Sequence, residues 1–488
     1  MSEKDENVVC MKKELSVTKV TKRGGGQASG GDQGQPAEIT TTEQTSEVVI
    51  TIHEEAIRTR RGEKLKKIWE VAEAAQKQNA EPKIQRVPIM LRDHKSFEPR
   101  VCFEPRVVAL GPYHHGKEKY EQAEKVKLLL TANFLKDSDQ TTNAETLLKK
   151  VGDEINDLRE CYDEKATKDY DDEALAWMLF VDGCSTLEFM YKYEKLEEFK
   201  IKRDQVAFAE QDMFLLENQL PYRLLKWLIK KSKILQEVNA SIEEFIGKHS
   251  EAPLDPATKR KPTHLLDLLR TRMVGCPPSP STKSGRRSTD SFRNVQELQA
   301  AGIHFRCSKT NSLRDISFKL QFQCCGFLYL PKIKVDDSMM PKFMNMIAYE
   351  MCSDFQNDFE VTSYIGFLDS LIDHPDDVKH LRKKGIVRNL LGSDEEVAQL
   401  FNVIATDLVP NDEIYRNVKT QIEDHYKTKW KTWMAQFFHD HFNSPWTFLA
   451  FIGVLLGLGL SGIQTWYAVF SDPSPCDAVC KYLKTHPG

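Results

Sequence analysis

One stretch near the C-terminus constrains this chain more than any other part of its sequence. Residues 442–471 contain no charged side chain, and residues 445–470 read PWTFLAFIGVLLGLGLSGIQTWYAVF. A helix needs about 20 apolar residues to cross the hydrocarbon core of a bilayer. Trp446 and Trp466 are 20 positions apart, about 30 Å along a helix, so they and Tyr467 fit the two interfacial belts. The sequence predicts a single transmembrane helix at residues 445–470; the alternative is a buried helix of a soluble protein.

The flanks of this helix indicate how the chain lies in the membrane. The tail, residues 471–488, is too short to fold alone, so the functional mass is expected before the helix. Residues 1–20 contain no continuous apolar stretch, and a secretory signal peptide is not expected. The nearest lysines are Lys427, Lys429 and Lys431 before the helix and Lys481 and Lys484 after it. This excess predicts a cytosolic body and a single-pass protein in the lipid bilayer, with the plasma membrane as the candidate location.

Small residues recur along the predicted membrane helix. Gly453, Gly457 and Ser461 are spaced by four, which places them on one helix face where a second helix can approach closely. A homodimer through this face is one interpretation. A monomeric span is the other, because glycine is common in membrane helices.

The segment before the membrane helix, residues 412–444, carries apolar side chains at a spacing of three or four. They are Ile414, Val418, Ile422, Tyr426, Trp430, Met434 and Phe437. This spacing predicts an amphipathic juxtamembrane helix, which either packs on the body or lies at the membrane interface.

Composition divides the rest of the chain. Residues 1–47 are rich in Gly, Ser, Thr, Gln and Lys without apolar periodicity, which predicts a disordered extension. Residues 48–83 are expected to be a helical lead-in, and residues 84–411 to form the main helical body. The body is interrupted at residues 275–291 by a loop rich in Pro and Ser. Ser288 follows two arginines in that loop and is a candidate phosphorylation site.

Within the body the apolar spacing is mostly helical. Glu173–Tyr193 is apolar nearly all round and predicts a buried helix. Val206–Ile229 continues the helical pattern around Pro221, which should bend or split the helix. Residues 316–324 instead alternate apolar and polar side chains, so a small antiparallel sheet is predicted within residues 303–335. The expected fold is mostly α-helical, of the α+β class.

Several function classes are excluded or disfavoured by composition and motifs. The net charge is -4, without a long Lys or Arg block, so nucleic-acid binding is not expected. The full phosphate-binding loop G-x-x-x-x-G-K followed by Ser or Thr, a G-x-G-x-x-G motif after a strand, H-E-x-x-H and G-x-S-x-G do not occur, and no cofactor is predicted. The 11 cysteines form no C-x-x-C pair, which predicts reduced core residues and no structural zinc.

Four polar residues embedded in apolar strings remain as catalytic candidates. His114 and His115 lie in the turn PYHHG after Val107–Leu110, a run expected to be strand-like, while Asp182 and Glu217 lie in apolar helical strings. Imidazoles beside carboxylates can act as acid and base or bind a metal. Adjacent histidines cannot both point at one ion from a helix or a strand.

The two acids also have a structural interpretation. A buried carboxylate is costly unless it is hydrogen-bonded or paired, so Asp182 and Glu217 are expected to bind backbone donors or a basic residue such as Arg223 or Arg270. Convergence of the four candidates in one open cleft would favour an enzyme, and dispersal into separate buried contacts would favour a structural role.

Ten strings of residues, in this order, carry a resemblance to a known family: ALGPYHHG, VDGCSTLEFM, DMFLLENQLPYRLLKWL, HLLDLLR, ELQAAGIHFR, LYLPKIKVDD, NMIAYEMC, VTSYIGFLDSLID, KKGIVRNLLGSDEEVAQLFN and PWTFLAFIG. Over residues 84–470 the chain resembles the plant family called domain of unknown function 247. The resemblance implies C-terminally anchored plant membrane proteins without an assigned reaction, some associated with pollen recognition in grasses. The extension before residue 84 departs from the family pattern.

Two functional classes follow. The first is a membrane-tethered interaction, signalling or recognition module, whose body binds a protein partner. The second is a membrane-anchored hydrolase or metal-dependent enzyme built around His114, His115, Asp182 and Glu217.

Overall fold

The computed structural model of the chain describes residues 58–71, 82–138, 144–230, 232–250, 252, 260–275, 293–321, 325–427, 445–470 and 475–485. The chain divides into two compact units, residues 1–79 and 80–488. The predicted disorder of residues 1–47 and the Pro/Ser loop with Ser288 lie outside the described residues.

The described part of the first unit is one helix, residues 58–71. Its apolar side chains Leu65, Ile68 and Trp69 are all exposed. The predicted lead-in at residues 48–83 therefore contains a helix whose apolar face is not covered within this unit.

The N-terminal half of the second unit is helical. Its helices are α1 (Ile89–Arg92), α2 (Pro99–Phe103), α3 (Glu121–Asp137), α4 (Ala144–Asp153), α5 (Ile155–Glu160), α6 (Glu164–Thr167), α7 (Asp172–Tyr191), α8 (Arg203–Asp212), α9 (Tyr222–Lys230), α10 (Leu235–Ser250) and α11 (Leu265–Val274). Short 3-10 helices at Glu118–Tyr120 and Tyr193–Phe199 precede α3 and follow α7.

Helix α7 is the centre of this half. Fifteen of its 20 residues are buried, and helices α3, α4, α9 and α10 pack against it. The carboxylate of Asp171 caps its first turn by accepting a hydrogen bond from the Ala174 N–H, which satisfies one of the free donors at a helix start. The predicted buried helix is confirmed.

The chain leaves helical geometry between α8 and α9. Residues 213–221 contain no helix, and Pro221 lies directly before α9. Proline cannot donate a helical hydrogen bond, so the predicted split of Val206–Ile229 is confirmed. The nine residues of this break carry the string MFLLENQLP, whose side chains hold the candidate site.

The C-terminal half combines helices with two small sheets. Its elements are α12 (Val295–Ala300), β1 (Ile303–Cys307), β2 (Ser317–Gln321), β3 (Cys325–Leu330), β4 (Ile333–Val335), α13 (Met339–Glu350), α14 (Glu360–Asp369), α15 (Pro375–Lys383), β5 (Val387–Asn389), α16 (Asp394–Ala405), α17 (Arg416–Lys427), α18 (Pro445–Phe470) and α19 (Pro475–Thr485).

The predicted small sheet is present, and it is mixed. Strands are ordered β1-β3-β2; β2 and β3 pair antiparallel, as expected, whereas β1 and β3 pair parallel. The central position of β3 places Phe305 of β1 and Phe318 of β2 on either side of Leu328, and all three side chains are buried. The end of the predicted sheet region, residues 333–335, does not join this sheet, because β4 pairs parallel with β5 instead.

Helix α17 is the described part of the predicted juxtamembrane helix, and it packs against β2. His425 is buried, with its Nε2 3.1 Å from the Ala301 carbonyl oxygen and its ring 5.8 Å from that of Phe318. This part of the segment therefore packs on the body. The remainder, residues 428–444, lies outside the described residues.

Helix α18 is long and apolar enough to cross a membrane, and Leu449–Val469 is the segment that meets this condition. None of the side chains in this segment is buried within the chain.

Candidate functional site

The run Val107–Leu110, expected to be strand-like, forms no strand. Its backbone donors bind side chains instead. The Asp212 carboxylate at the end of α8 accepts hydrogen bonds from the N–H groups of Arg106 (2.8 Å), Val107 (2.7 Å) and Val108 (2.9 Å). Burial raises the pKa of Asp212 to about 6, while the three N–H bonds act in the opposite direction. One carboxylate thus replaces the neighbouring strand that would otherwise satisfy these donors.

Two amides of the break after α8 continue this bonding. Asn218 accepts from the Leu110 N–H at 2.7 Å and donates to the Val108 carbonyl at 3.0 Å. Gln219 donates to the Met213 carbonyl at 2.7 Å and accepts from the Leu266 N–H at 3.0 Å. The break therefore connects the segment 106–111 to helix α11, and every link is buried.

Asp182, from the middle of α7, is held by two donors. It accepts from the Gly111 N–H at 2.8 Å and from the Lys127 ammonium at 2.5 Å. Burial lowers the pKa of Lys127, but Asp182 and Glu124 outweigh this effect, so the pKa lies above its usual value. Lys127 also donates to the Ala109 carbonyl at 3.0 Å. The pair is a charged contact inside the body, satisfied on both sides.

Gly111 is required at this turn for two reasons. Its φ is +67°, a left-handed backbone conformation that residues other than glycine rarely adopt. A Cβ there would also lie 3.0 Å from the Gln219 carbonyl oxygen and 3.1 Å from the Tyr162 hydroxyl. The close approach brings the Gly111 N–H within reach of Asp182.

Glu217 and His114 form a second, separate contact. The Glu217 carboxylate accepts from the Val87 N–H at 2.7 Å and from the Arg92 guanidinium. His114 Nε2 lies 3.9 Å from the other Glu217 oxygen, and its Nδ1 lies 2.9 Å from the Lys117 ammonium. Burial, followed by Lys117 and the neighbouring cations, lowers the pKa of His114 to about 3. At neutral pH this imidazole is uncharged, so its contact with Glu217 is not an ion pair.

His115 takes another direction. Its ring lies 6.1 Å from that of Tyr170, in an edge-to-face arrangement. The structure thus joins His114 to Glu217, and Asp182 to Lys127, while His115 belongs to neither contact. Among the residues that the structure describes, no group of three His, Cys, Asp or Glu side chains is arranged to hold a metal ion.

Both acids bind a backbone donor and a basic residue, as predicted, but the basic residues are Lys127 and Arg92 and not Arg223 or Arg270. Arg223 pairs with Asp157 at 3.2 Å on the surface. Arg270 is buried in a separate network with Glu350 at 2.6 Å and with Glu360. The cations that bind Asp182 and Glu217 come instead from earlier in the chain, Lys127 and Arg92 respectively.

Lys127 was missed as a functional residue of this network. A signal for it exists in the sequence, because Lys127, Leu130 and Phe134 follow helical spacing and share one face of α3. Leu130 and Phe134 are buried, and so is Lys127. A lone lysine on an apolar helix face indicates a buried anionic partner.

The two glycines of the predicted dimer face of α18 have open space around them in the described part of the chain. A Cβ built on Gly453 or Gly457 would meet nothing within 4 Å, and the Ser461 carbonyl accepts from the Thr465 hydroxyl of the same helix at 2.8 Å. Trp466 and Tyr467 are exposed, and the side chain of Trp446 lies outside the described residues. The dimer and belt assignments of these residues remain predictions.

The fold and the site define a class: a helical body braced internally by carboxylates, followed by one C-terminal helix of membrane-spanning length. The chain belongs to the DUF247 family, described as plant protein of unknown function, whose family model matches residues 84–460. The resemblance read from the ten strings is thereby confirmed.

Two relatives from Arabidopsis thaliana share most of the chain. It is 30% identical to the UPF0481 protein At3g47200 over 76% of this chain and 83% of the relative. It is 19% identical to the putative UPF0481 protein At3g02645 over 76% of this chain and 88% of the relative. No solved structure matches the chain.

Proposed function

We propose that the protein is a membrane-tethered interaction module, whose α18 lies in the bilayer and whose helical body binds a protein partner. The observation that carries this proposal is the separation of the four candidate side chains. Asp182 and Glu217 bind different donors, and His115 joins neither contact. Catalysis by these residues needs a shared centre open to a substrate, so we do not carry the hydrolase or metal-dependent alternative further.

The membrane tether is supported by α18. Its segment Leu449–Val469 leaves every side chain uncovered by the chain, and such an apolar surface is stable only in a bilayer or against another apolar partner. Trp446, Trp466 and Tyr467 serve as interfacial anchors in this proposal.

The tethered module is tested by proximity labelling. A labelling enzyme fused before residue 58 is expressed with the full chain and with a chain lacking residues 445–470. The proposal expects a set of membrane-associated proteins labelled reproducibly by the full chain and lost from the truncated one. Identical labelling by both chains would contradict it.

We propose further that the body lies on the cytosolic side, with the plasma membrane as the location. Protease treatment of sealed microsomes carrying a tag at each end tests this side. Digestion of the N-terminal tag with survival of the C-terminal tag is the expected result. Asn239 offers an independent reporter, since Asn239-Ala240-Ser241 is a glycosylation sequon on the exposed side of α10. A glycan on Asn239 would place the body outside the cytosol.

A further inference from the structure

We infer that a cavity between α3, α7, α8 and the segment 106–110 is a binding site for a small amphipathic organic anion, one carboxylate or sulfonate on an apolar body. The cavity has a volume of about 300 Å³, which is at the lower end of the range for small-molecule sites. His114 and Glu217 do not line it.

The wall of the cavity is apolar. It includes Val108, Leu130, Phe189, Ile201 and Met213. These side chains come from five different segments of the fold and are all buried residues of the core. Such a wall accepts a hydrocarbon or aromatic body and offers it no hydrogen bond.

The mouth of the cavity is cationic. Arg106, Lys119 and Lys200 line it and are exposed, and the buried Lys127 lines its interior. No Asp or Glu is among the described residues that line it. Lys127 is neutralised by Asp182, and Lys119 lies 3.7 Å from Glu104.

Arg106 and Lys200 are the two remaining cations that line the cavity. Within the described part of the chain neither of them forms an ion pair, and Arg106 lies over the Phe208 ring at 5.3 Å. Lys200 has a φ of +63° at the end of the 3-10 helix Tyr193–Phe199. An anionic group at the mouth would face two cations that form no ion pair with the described carboxylates.

An independent observation comes from Thr186 on α7. This residue lines the cavity, is 1% exposed, and its hydroxyl has no hydrogen-bond partner among the described residues. A buried hydroxyl left without a partner is costly. An oxygen of a bound ligand would accept a hydrogen bond from this hydroxyl, which gives the site a polar contact beside the apolar side chains of the wall.

A larger cavity, of about 370 Å³, makes a useful contrast. It is also rich in lysine, but Glu210, Asp336 and Asp337 line it as well. Lys334 pairs with Asp336 at 2.7 Å. Three acids offset three of its four lysines, so its excess of positive side chains is smaller than that of the first cavity.

The site is tested with full-length protein in lipid nanodiscs, using 2-naphthoate as the anionic probe and 2-naphthamide as its neutral counterpart. Equilibrium dialysis against empty nanodiscs is expected to show saturable, one-site binding of 2-naphthoate. The amide should bind at least roughly tenfold more weakly, because it lacks the charge that the mouth recognises. Equal binding of the two probes, or no saturable binding at millimolar concentration, would overturn the inference.

Variants locate the binding. The double variant Arg106→Gln with Lys200→Gln should weaken 2-naphthoate binding at least roughly tenfold, and Thr186→Val should weaken it roughly threefold to tenfold. The control is Lys332→Gln with Lys334→Gln in the larger cavity, which should bind 2-naphthoate as the unmodified protein does. Unchanged binding in the first double variant, or equal loss in the control, would contradict the site.

A blocking variant separates loss of the site from loss of folding. Ala209→Phe places a ring into the cavity from α8. It should abolish naphthoate binding while circular dichroism and the thermal midpoint show a folded body. If Ala209→Phe does not fold, Thr186→Val remains the test, because valine keeps the shape of threonine and removes only the hydroxyl. Retained binding in a folded variant would contradict the inference.

Discussion

Helices α7 and α18 are both long and apolar, yet their surroundings are opposite. Helix α7 buries fifteen of its 20 residues against the rest of the body, whereas the segment Leu449–Val469 of α18 has none of its side chains buried. The buried helix carries two buried acids, Asp182 near its middle and Glu188 near its end. The uncovered helix carries no charged residue.

The difference shows what decides where a charge can lie on an apolar helix. In α7 the neighbouring chain supplies partners, because Lys127 and the Gly111 N–H both reach Asp182. A helix facing hydrocarbon has no such partners, and a charge there is costly. Five changes break or sharpen this comparison.

The largest effect is expected from removing α18. A chain lacking residues 445–470 should move from the membrane pellet to the supernatant with its helical circular dichroism retained, because the body buries its own core. A chain lacking only residues 475–488 is the control and should stay in the pellet. Retention of the first truncated chain in the pellet after carbonate washing would contradict the tether.

The second change removes the partner of Asp182. Lys127→Met should lower the free energy of unfolding by about 3–5 kcal/mol, because it leaves a buried carboxylate without its cation. Lys125→Met is the matched control on the same helix, since Lys125 forms only an exposed pair with Glu121, worth less than about 1 kcal/mol. Urea unfolding of the two variants measures the difference. If both variants lose the same free energy of unfolding, Lys127 does not stabilise the buried charge of Asp182 in α7.

The third change concerns Glu188, whose two carboxylate oxygens are buried without a hydrogen-bond partner among the described residues. Burial, followed by the nearby Asp137, raises the pKa of Glu188 to about 7. The folded state thus holds the proton more tightly than the unfolded chain, whose glutamates titrate near 4.3. This residue's contribution to stability is therefore present at low pH and is lost as the pH rises from about 4 to about 7.

Glu188→Gln keeps the neutral shape at every pH. We expect it to raise the free energy of unfolding by about 3 kcal/mol at pH 8 and to change it little at pH 4. Glu145→Gln, at an exposed position of α4, is the control and should show neither effect. Urea unfolding at both pH values measures this, and a stabilisation by Glu188→Gln that does not depend on pH would exclude titration as its cause.

The fourth change compares one substitution in the two helices. A Cβ on Gly183 of α7 would lie 2.5 Å from the Leu228 side chain of α9, while one on Gly457 of α18 would meet nothing within 4 Å. Gly183→Ala should therefore cost about 1–3 kcal/mol by overpacking. Gly457→Ala should leave the unfolding of the body unchanged, and equal effects of the two substitutions in urea unfolding would remove the contrast.

The smallest effect is expected from α18 as a dimer contact. Replacing Gly453 and Gly457 by leucine should weaken self-association of the isolated helix in a membrane, since membrane helices pair through close packing of small residues. Gly459→Leu lies on a different face and serves as control. Resonance energy transfer between labelled helices measures the association, and a double leucine variant that associates like the control would argue for a monomeric span.

Local sequence was sufficient wherever a single segment decides its own structure. The uncharged stretch that forms α18, the apolar run of α7 and the helix break at Pro221 were all predicted, because length, periodicity and proline chemistry act within a few residues. The strings of the body were also sufficient to identify the family. The sequence also predicted that Asp182 and Glu217 bind hydrogen-bond donors, since buried carboxylates require donors wherever they lie.

Tertiary structure alone decided which donors these are. Lys127 reaches Asp182 across 55 positions of sequence, and Val87 reaches Glu217 across 130. The run Val107–Leu110 has the sequence of a strand, but the N–H groups of Val107 and Val108 donate to the Asp212 carboxylate and not to a neighbouring strand. Contacts between residues far apart in sequence also determine the strand order β1-β3-β2 and the lining of the cationic cavity. Hydrogen bonds and charges act over a few ångströms in space, so only the folded chain determines which distant residues they join.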